Sequence, residues 1–468
     1  MLLASHLDAA GLTSAAIATT ALARAGIPVE TVFKKQLDPD EIASIAARET
    51  STVLFTDFGS GQLDVISDHV AAGDFEAIVA DHHQPADPED CHADAVYDTD
   101  GYADFDHHCN PLLVGVNGAS ELSGAGAAYT LARALEVDGG DNRDLAALAV
   151  VGAVGDMQAV GGELVGANGG IVEEGIAADV LEEGTDLALD GKQTRPLPKL
   201  LEYATEVPIP GISNDQAGAT RFLEDLDIEL KRRGEWRTWA DLSDAERQTV
   251  ASALVQRAVK RGVPAGKIES LVGTTYTLTA EPTGTELRDA SEFSTLLNAT
   301  ARYERADVGL AVCLGEREEP LERARKLLSN HRRNLSDGLD LVKNRGVTQS
   351  AFVQHFDAGD AIRETIVGIV AGKGLGADGV GADKPIIAFA GADGETKGSS
   401  RAAGALGGRG GGERRDPRGR AGCRPRERAV PRRGDGRGGR TPGETDRRER
   451  AGPGGGDPVR RGRPQPAV

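Results

Sequence analysis

Ile78-Val79-Ala80-Asp81-His82-His83-Gln84-Pro85 decides the reading of this chain. A short apolar run drives into an acid and two adjacent histidines, and Pro85 follows two residues later. A run of that kind, bounded by turn residues, reads as a buried strand. Polar groups at its C-terminal end would sit at the mouth of a parallel sheet, where α/β proteins place their ligands. Asp and His are hard and borderline metal ligands. Taken alone, the stretch reads equally well as a loop with two surface histidines.

The segments before it favour the metal reading. Residues 1–5 read as a strand running into His6-Leu7-Asp8-Ala9-Ala10-Gly11, with an Ala-rich helix from about Leu12 to Ala25. Strand, Gly turn and helix make the opening βα unit of a parallel sheet. Pro28 to Phe33 is the next strand and Pro39 to Arg48 the next helix. Thr52-Val53-Leu54-Phe55-Thr56 is a buried strand ending at Asp57-Phe58-Gly59. Three strands thus end at Asp8, Asp57 and Asp81, beside His6, His82 and His83. Parallel strand ends share one edge, so these groups can converge.

Downstream, helices are expected over about Ala127 to Leu135 and Asp144 to Val154, the second breaking at Gly155-Asp156-Met157-Gln158. Asp156 is a fourth candidate ligand; a helix C-cap turn is the plain alternative. Residues 160–185 are Gly- and acid-rich. Residues 195–265 read as helical, with Ser243 and Glu246 forming a capping box for a helix over about Asp244 to Arg261. From Val272 an α/β pattern returns: helices Glu286 to Arg302 and Leu321 to Asn334, strands Val308 to Leu314 and Ile386 to Ala390. The expected class is α/β: a parallel-sheet domain over 1–190, a helical connector over 191–270, a smaller α/β domain over 271–401 and a disordered tail over 402–468.

Composition bounds the rest. The chain has 468 residues, 39% hydrophobic but only 4% aromatic, so small aliphatics must fill its cores. No apolar run approaches the ~18 residues of a membrane span. Four cysteines imply no disulfide framework and suit a reducing cytoplasm. Residues 401–468 hold 19 Arg and 8 acids, which leaves 1–400 at a net charge of −31. Such an excess self-repels in dilute buffer. At molar salt the Debye length falls to ~3 Å and the repulsion is screened, so the body reads as adapted to a high-salt cytoplasm. From Ala402 the chain is mostly Gly, Arg, Pro and Ala and cannot bury a core. It reads either as an Arg/Gly-rich RNA-binding tail or as the out-of-frame product of GC-rich codons; the abrupt onset favours the second.

His6-x-Asp8-x-Ala10-Gly11, Asp57 after a strand, Asp81-His82-His83 and Gly155-Asp156 resemble, in order and spacing, the four motifs of the DHH phosphoesterase superfamily. Within it, the chain is similar to archaeal RecJ-like single-strand nucleases of the GINS-associated type, and the acidic body suggests a haloarchaeal member. Glu286-Leu287-Arg288-Asp289-Ala290 through Asn298-Ala299-Thr300-Ala301-Arg302, with Lys397-Gly398-Ser399-Ser400-Arg401, resembles that family's second domain. The resemblance implies two divalent ions, Mn(II) or Mg(II). Asp8 and Asp57, with His6, would hold one; Asp57, His82 and Asp156 would hold the other. His83 and Asp81 would be catalytic, His83 facing phosphate. It implies hydrolysis of single-stranded DNA or RNA from an end, with GINS and the replicative helicase as partners. The family's first motif carries a second acid where this chain has Ala10. A catalytically impaired replication scaffold, or a phosphodiesterase for small substrates, is therefore the alternative.

Other features are weighed against plainer readings. Arg323, Arg325, Lys326, His331, Arg332 and Arg333 form the densest basic stretch of the body. They read as a solvated helix face or, with Arg302, Lys397 and Arg401, as contacts to backbone phosphates. Asp106-His107-His108 repeats the main motif without a preceding apolar strand and reads as a surface loop. Cys91-His92 with His107-His108-Cys109 matches no strong zinc spacing. Gly410-Gly411-Gly412-Glu413 lacks the His of the family's Gly-Gly-Gly-His segment.

Overall fold

The computed structural model describes residues 1–402, apart from 87–95, 98–102, 105–106, 138–139, 160–161, 205–206, 376–378, 382 and 393–394. The tail, Cys91-His92 and Gly410–Glu413 lie outside the described residues.

The first body is a parallel sheet. Its strands are β1 (Leu2–His6), β2 (Glu30–Lys34), β3 (Thr52–Thr56), β4 (Glu76–Ala80) and β5 (His108–Cys109), in the order β2-β1-β3-β4-β5. After β2 the chain returns to the far side of β1, so the order reverses between β1 and β3. A crevice opens at such a switch point, outside the carboxyl ends of the strands. Side-chain alternation serves both faces. Leu2, Ala4, Val53, Phe55 and Val79 face one core, with Ile42 and Ile45 of α2 (Pro39–Ala46) and Leu63 and Ile66 of α3 (Leu63–Ala72). Leu3, Leu54 and Ala80 face the other, with Ala15, Ala18 and Leu22 of α1 (Ala9–Arg24).

The helices on that second side are built from small residues, which explains how so few aromatics suffice. α1 packs against α4 (Gly124–Ala134) and α5 (Ala146–Gly155). The helices approach so closely that a Cβ on Gly152 would lie 2.4 Å from both Ala125 Cβ and Thr13 Oγ1. This core continues into later sequence. It takes in Ile171 of α6 (Ala167–Ala177), Leu181 of β6 (Leu181–Leu187), Tyr276 and Leu278 of β7 (Val272–Leu278), and Phe293 and Leu297 of α10 (Ala290–Arg302).

β6 and β7 pair antiparallel, Leu181 opposite Leu278 and Leu187 opposite Val272. The connector leaves and re-enters at the same end of this ribbon. It has its own core, around Leu197 and Leu201 of α7 (Leu197–Glu202), Ile212, Leu223 of α8 (Gln216–Glu224), Trp239 and Leu254. Its longest helix, α9 (Asp244–Lys260), starts at the expected capping box of Ser243 and Glu246.

Two expectations are overturned. Val308 to Leu314, expected as a strand, lies in a helix, α11 (Ala306–Cys313), apart from its last residue. Val308 and Val312, four apart, are both buried on one helical face; an apolar run that short does not reveal its period. His108, expected in a surface loop, is in β5 at the sheet edge, paired with Val79 of β4. Its polar neighbours hid a two-residue strand.

The last body hangs from a 27-residue helix, α12 (Glu319–Arg345). Its sheet comprises β8 (Thr348–Gln349), β9 (Gln354–Asp357), β10 (Ile386–Ala392) and β11 (Glu395–Arg401), packed with α13 (Val367–Gly374). Among the described residues, no helix is long and apolar enough to cross a membrane.

Candidate metal centre at the sheet switch point

His6 ends β1, and Asp8 is the N-cap of α1, its Oδ1 accepting from Gly11 N–H at 3.1 Å. Asp8 Oδ2 then lies 3.0 Å from His6 Nδ1. Gly11 is required here: a Cβ would lie 1.9 Å from the His6 carbonyl oxygen. Asp57 follows β3 in the left-handed region, φ 60°, and its N–H donates to Ala80 O. Its Oδ2 lies 3.7 Å from His6 Nδ1 and its Oδ1 3.4 Å from His82 Nε2. Asp57 Oδ1 also abuts the first residue of α4, 2.0 Å from where a Cβ on Gly124 would be. Asp156, the C-cap of α5, brings Oδ2 to 3.6 Å from His82 Nε2.

The structure therefore brings His6, Asp8, Asp57, His82 and Asp156 together. Asp57, 3% exposed, sits between the His6–Asp8 and His82–Asp156 halves. His82 Nδ1–H donates to Gly118 O at 2.6 Å, which leaves Nε2 as the atom directed at the two carboxylates. Asp57 Oδ1 and His82 Nε2 are both buried without a hydrogen-bond partner. Two such atoms 3.4 Å apart suit a divalent cation, for buried polar groups are otherwise satisfied. The donor set of carboxylates and imidazole fits Mn(II) or Mg(II).

Electrostatics agree with that clustering. Burial disfavours a charged His6, but hydrogen bonds to Asp57 and Asp8 outweigh it and raise the imidazole to about 10. Burial likewise opposes charge on His82; Asp57, then Asp156 and Asp81, lift it to about 10. Burial pushes Asp156 up to about 6, against the pull of His82.

Asp81 and His83 have a different setting. The buried Asp81 carboxylate is engaged on both oxygens. Oδ1 accepts from the N–H groups of His82 and His83 and meets His83 Nδ1 at 2.7 Å; Oδ2 accepts from Ser60 N–H. Burial opposes the charge, yet the His83 hydrogen bond holds Asp81 below the usual carboxylate range. His83 is raised by the same contact, over the opposing effect of burial. Its ring is half exposed.

Several residues around the centre were not assigned to it from sequence. Ser60 Oγ meets His108 Nε2 at 2.9 Å and accepts from Asn110 Nδ2 at 2.9 Å; Asn110 Nδ2 also donates to His83 O. Gln158 Nε2 donates to Asp156 Oδ2 and to Gly118 O, and Gln158 Oε1 accepts from Asn168 Nδ2. These polar residues sit in turns or short helices and carry no periodic signal.

The basic stretch on α12 divides. Arg325 grips Glu286 with two hydrogen bonds and also meets Glu322. Arg323 meets Asp307 and Glu319. Lys326 and Arg333 are exposed. Arg332 turns inward to Asp190, which also binds Arg195 at 2.8 Å. His331 is pushed down to about 4 by burial and by the charges of Arg302, Arg332 and Lys373. Arg302 Nη1 lies 3.5 Å from Thr365 O. Arg401 lies at the end of β11 over Gly368, donating to Ser399 Oγ and Ser400 O. Lys397 is on the same strand. Arg195 and Lys373, from the connector and α13, were invisible as members of this basic group.

With this geometry in view, residues 189–272 match the DHH-CID domain. Over most of its described length the chain shares its fold with the solved structures that follow. A manganese-bound exonuclease RecJ superposes with a TM-score of 0.50 at 17% identity, over 86% of this chain and 77% of that one. CDC45 from Entamoeba histolytica superposes with a TM-score of 0.58 at 11% identity, over 86% and 84%. An uncharacterized protein of Methanocaldococcus jannaschii is 26% identical over 388 residues, 82% of this chain and 77% of that one. The likeness to the solved structures is one of fold.

Proposed function

We propose that this chain is a divalent-cation-dependent phosphodiesterase that acts at an end of single-stranded DNA or RNA. The observation that carries the reading is the pair of buried atoms Asp57 Oδ1 and His82 Nε2, both without a hydrogen-bond partner and 3.4 Å apart. His6, Asp8 and Asp57 would hold one ion, and Asp57, His82 and Asp156 the other, Mn(II) or Mg(II). Such a pair supplies Lewis acidity toward phosphoryl oxygens and lowers the pKa of water. The chain's own groups do the rest. Asp81 fixes the His83 ring and favours its protonated form, so His83 can donate a hydrogen bond to a phosphate oxygen. Arg302, Arg332 and Lys373, grouped around the neutral His331, form a positive region suited to the strand's backbone. Lys397 and Arg401 would extend it across the last body, with Arg323, Arg325, Lys326 and Arg333 contributing charge from further along α12.

A second reading has its own observation. Ala10 is 2% exposed in the first turn of α1 and offers no carboxylate to the centre. The chain would then be an impaired RecJ-like subunit serving as a replication scaffold toward GINS and the helicase. The high-salt, haloarchaeal cytoplasm belongs to both readings.

Cleavage of end-labelled single-stranded DNA and RNA with Mn(II) in molar KCl tests them, using this chain and Ala10→Asp. The phosphodiesterase reading expects Ala10→Asp to raise the rate. The gain should exceed the roughly 10- to 100-fold that even an outer partner of a metal ligand commands. No cleavage by either protein would leave the scaffold.

A further inference from the structure

Gln158 is fully buried in a turn where its neighbour Met157 is 87% exposed and has φ 61°. The backbone takes the left-handed conformation so that Asp156 and Gln158 both point inward while Met157 is expelled. That geometry is uncommon for a residue with a Cβ, so something must hold it. Gln158 Nε2 donates to Asp156 Oδ2 at 2.8 Å and to Gly118 O at 2.9 Å. Gly118 O also accepts from His82 Nδ1, at 2.6 Å. One amide thus touches one carboxylate of the centre and shares a carbonyl with its imidazole.

The amide's own orientation is fixed from a third element. Asn168, 2% exposed near the start of α6, donates from Nδ2 to Gln158 Oε1 at 2.7 Å. Asn168 Oδ1 accepts from Ser123 N–H at 3.3 Å, and its own N–H donates to Glu121 O. Ser123 is the N-cap of α4, whose first residue abuts Asp57. Donors and acceptors alternate without conflict along Ser123, Asn168, Gln158 and then Asp156 and Gly118. An amide bound in that order cannot flip without placing oxygen against oxygen.

We infer that Gln158, locked by Asn168, is a positioning residue that sets the geometry of the His82–Asp156 half of the centre. The inference rests on the metal-centre reading above. It assigns Gln158 two effects: one oxygen of Asp156 is held away from rotation, and Gly118 O is held where it takes His82 Nδ1–H and so turns Nε2 toward Asp57 and Asp156. Outer partners that fix ligand orientation commonly govern affinity.

The test is Mn(II) titration of the full chain in molar KCl, followed by electron paramagnetic resonance, for the unaltered protein, Gln158→Leu and Asn168→Asp. Asn168→Asp keeps the oxygen that Ser123 N–H donates to and puts a carboxylate oxygen in place of the N–H donor that locks Gln158. Thermal unfolding by circular dichroism establishes which variants are folded. The expected result is that Gln158→Leu weakens one of the two ions by about 10- to 100-fold and spares the other, with Asn168→Asp in between. For cleavage, kcat should fall while KM for the strand stays unchanged. If Gln158→Leu does not fold, Asn168→Asp alone decides. A folded variant that binds both ions as the unaltered chain does would overturn the inference and leave the metal centre standing. No Mn(II) binding by the unaltered chain would overturn both.

Discussion

His331 shows how a single residue reports its surroundings. It sits on α12 among Arg302, Arg332 and Lys373, and its Nδ1 is buried without a partner. Burial first, then the positive neighbours, lower it from 6.5 to about 4. Between pH 6.5 and 4 the unfolded chain therefore binds a proton that the folded chain refuses. Stability should fall across that window and be unaffected by this group above pH 6.5. His331→Gln should remove that part of the acid-side loss, read as the difference in denaturant midpoint between pH 7 and pH 5 in molar KCl. Equal pH dependence in the two proteins would show that His331 is not held neutral. His331 itself was legible as part of a basic stretch. Its low basicity was not, because Arg302 is 29 residues upstream and Lys373 is 42 downstream.

At the scale of elements, Glu246 ties the connector together. It closes the capping box at the start of α9, with Ser243 N–H donating to its Oε2. The same carboxylate takes both terminal nitrogens of Arg237, at 2.8 Å each. Arg237 is buried, and its other donations go to the carbonyls of Glu229 and Asp241. Glu246→Ala would remove the reciprocal half of the capping box, leave Ser243 as N-cap, and leave a buried guanidinium short of its counter-charge. Breaking a buried pair costs roughly 3–5 kcal/mol. Because Glu246 is partly exposed, we expect about 2–3 kcal/mol, the pair's share being reduced by solvent. Hydrogen exchange should show the loss in residues 229–262 before the parallel sheet is affected; uniform loss across the chain would contradict an independent connector core. The capping box was readable from Ser243 and Glu246 because both partners lie within one turn. Arg237 was not, since nothing in its local sequence marks it as buried.

The whole molecule carries its charge unevenly, −31 over residues 1–400. Its described ion pairs are mostly on the surface, and each such pair is worth little. The net repulsion is the larger effect, and it is screened only when the Debye length falls to a few Å. The melting temperature should therefore climb by many degrees between 0.1 and 2 M KCl, and ion binding should be measurable only toward the upper end. A melting temperature independent of KCl would remove the high-salt reading without touching the metal centre. The same global charge makes the basic group of Arg195, Arg302, Arg332 and Lys373 distinctive, because it is assembled from the connector, α10, α12 and α13 of an otherwise acidic body.

The sequence by itself determined the parallel strands, the acids and histidines at their ends, and the small-residue character of the helices. Those features are local: an alternating or continuous apolar run, a capping residue, a Gly where Asp8 and His6 meet. It also determined that position 10 has no carboxylate. Tertiary structure alone decided which groups meet. It put Asp57 between two histidines 76 residues apart, anchored one oxygen of Asp81 on Ser60 N–H while the other holds His83, and drew Gln158 and Asn168 in behind Asp156. It turned Arg323 and Arg325 to nearby acids while turning Arg332 inward, and it made Val308 to Cys313 a helix. Each outcome depends on contacts between distant segments, and a buried hydrogen bond leaves no periodic trace in the sequence of either partner.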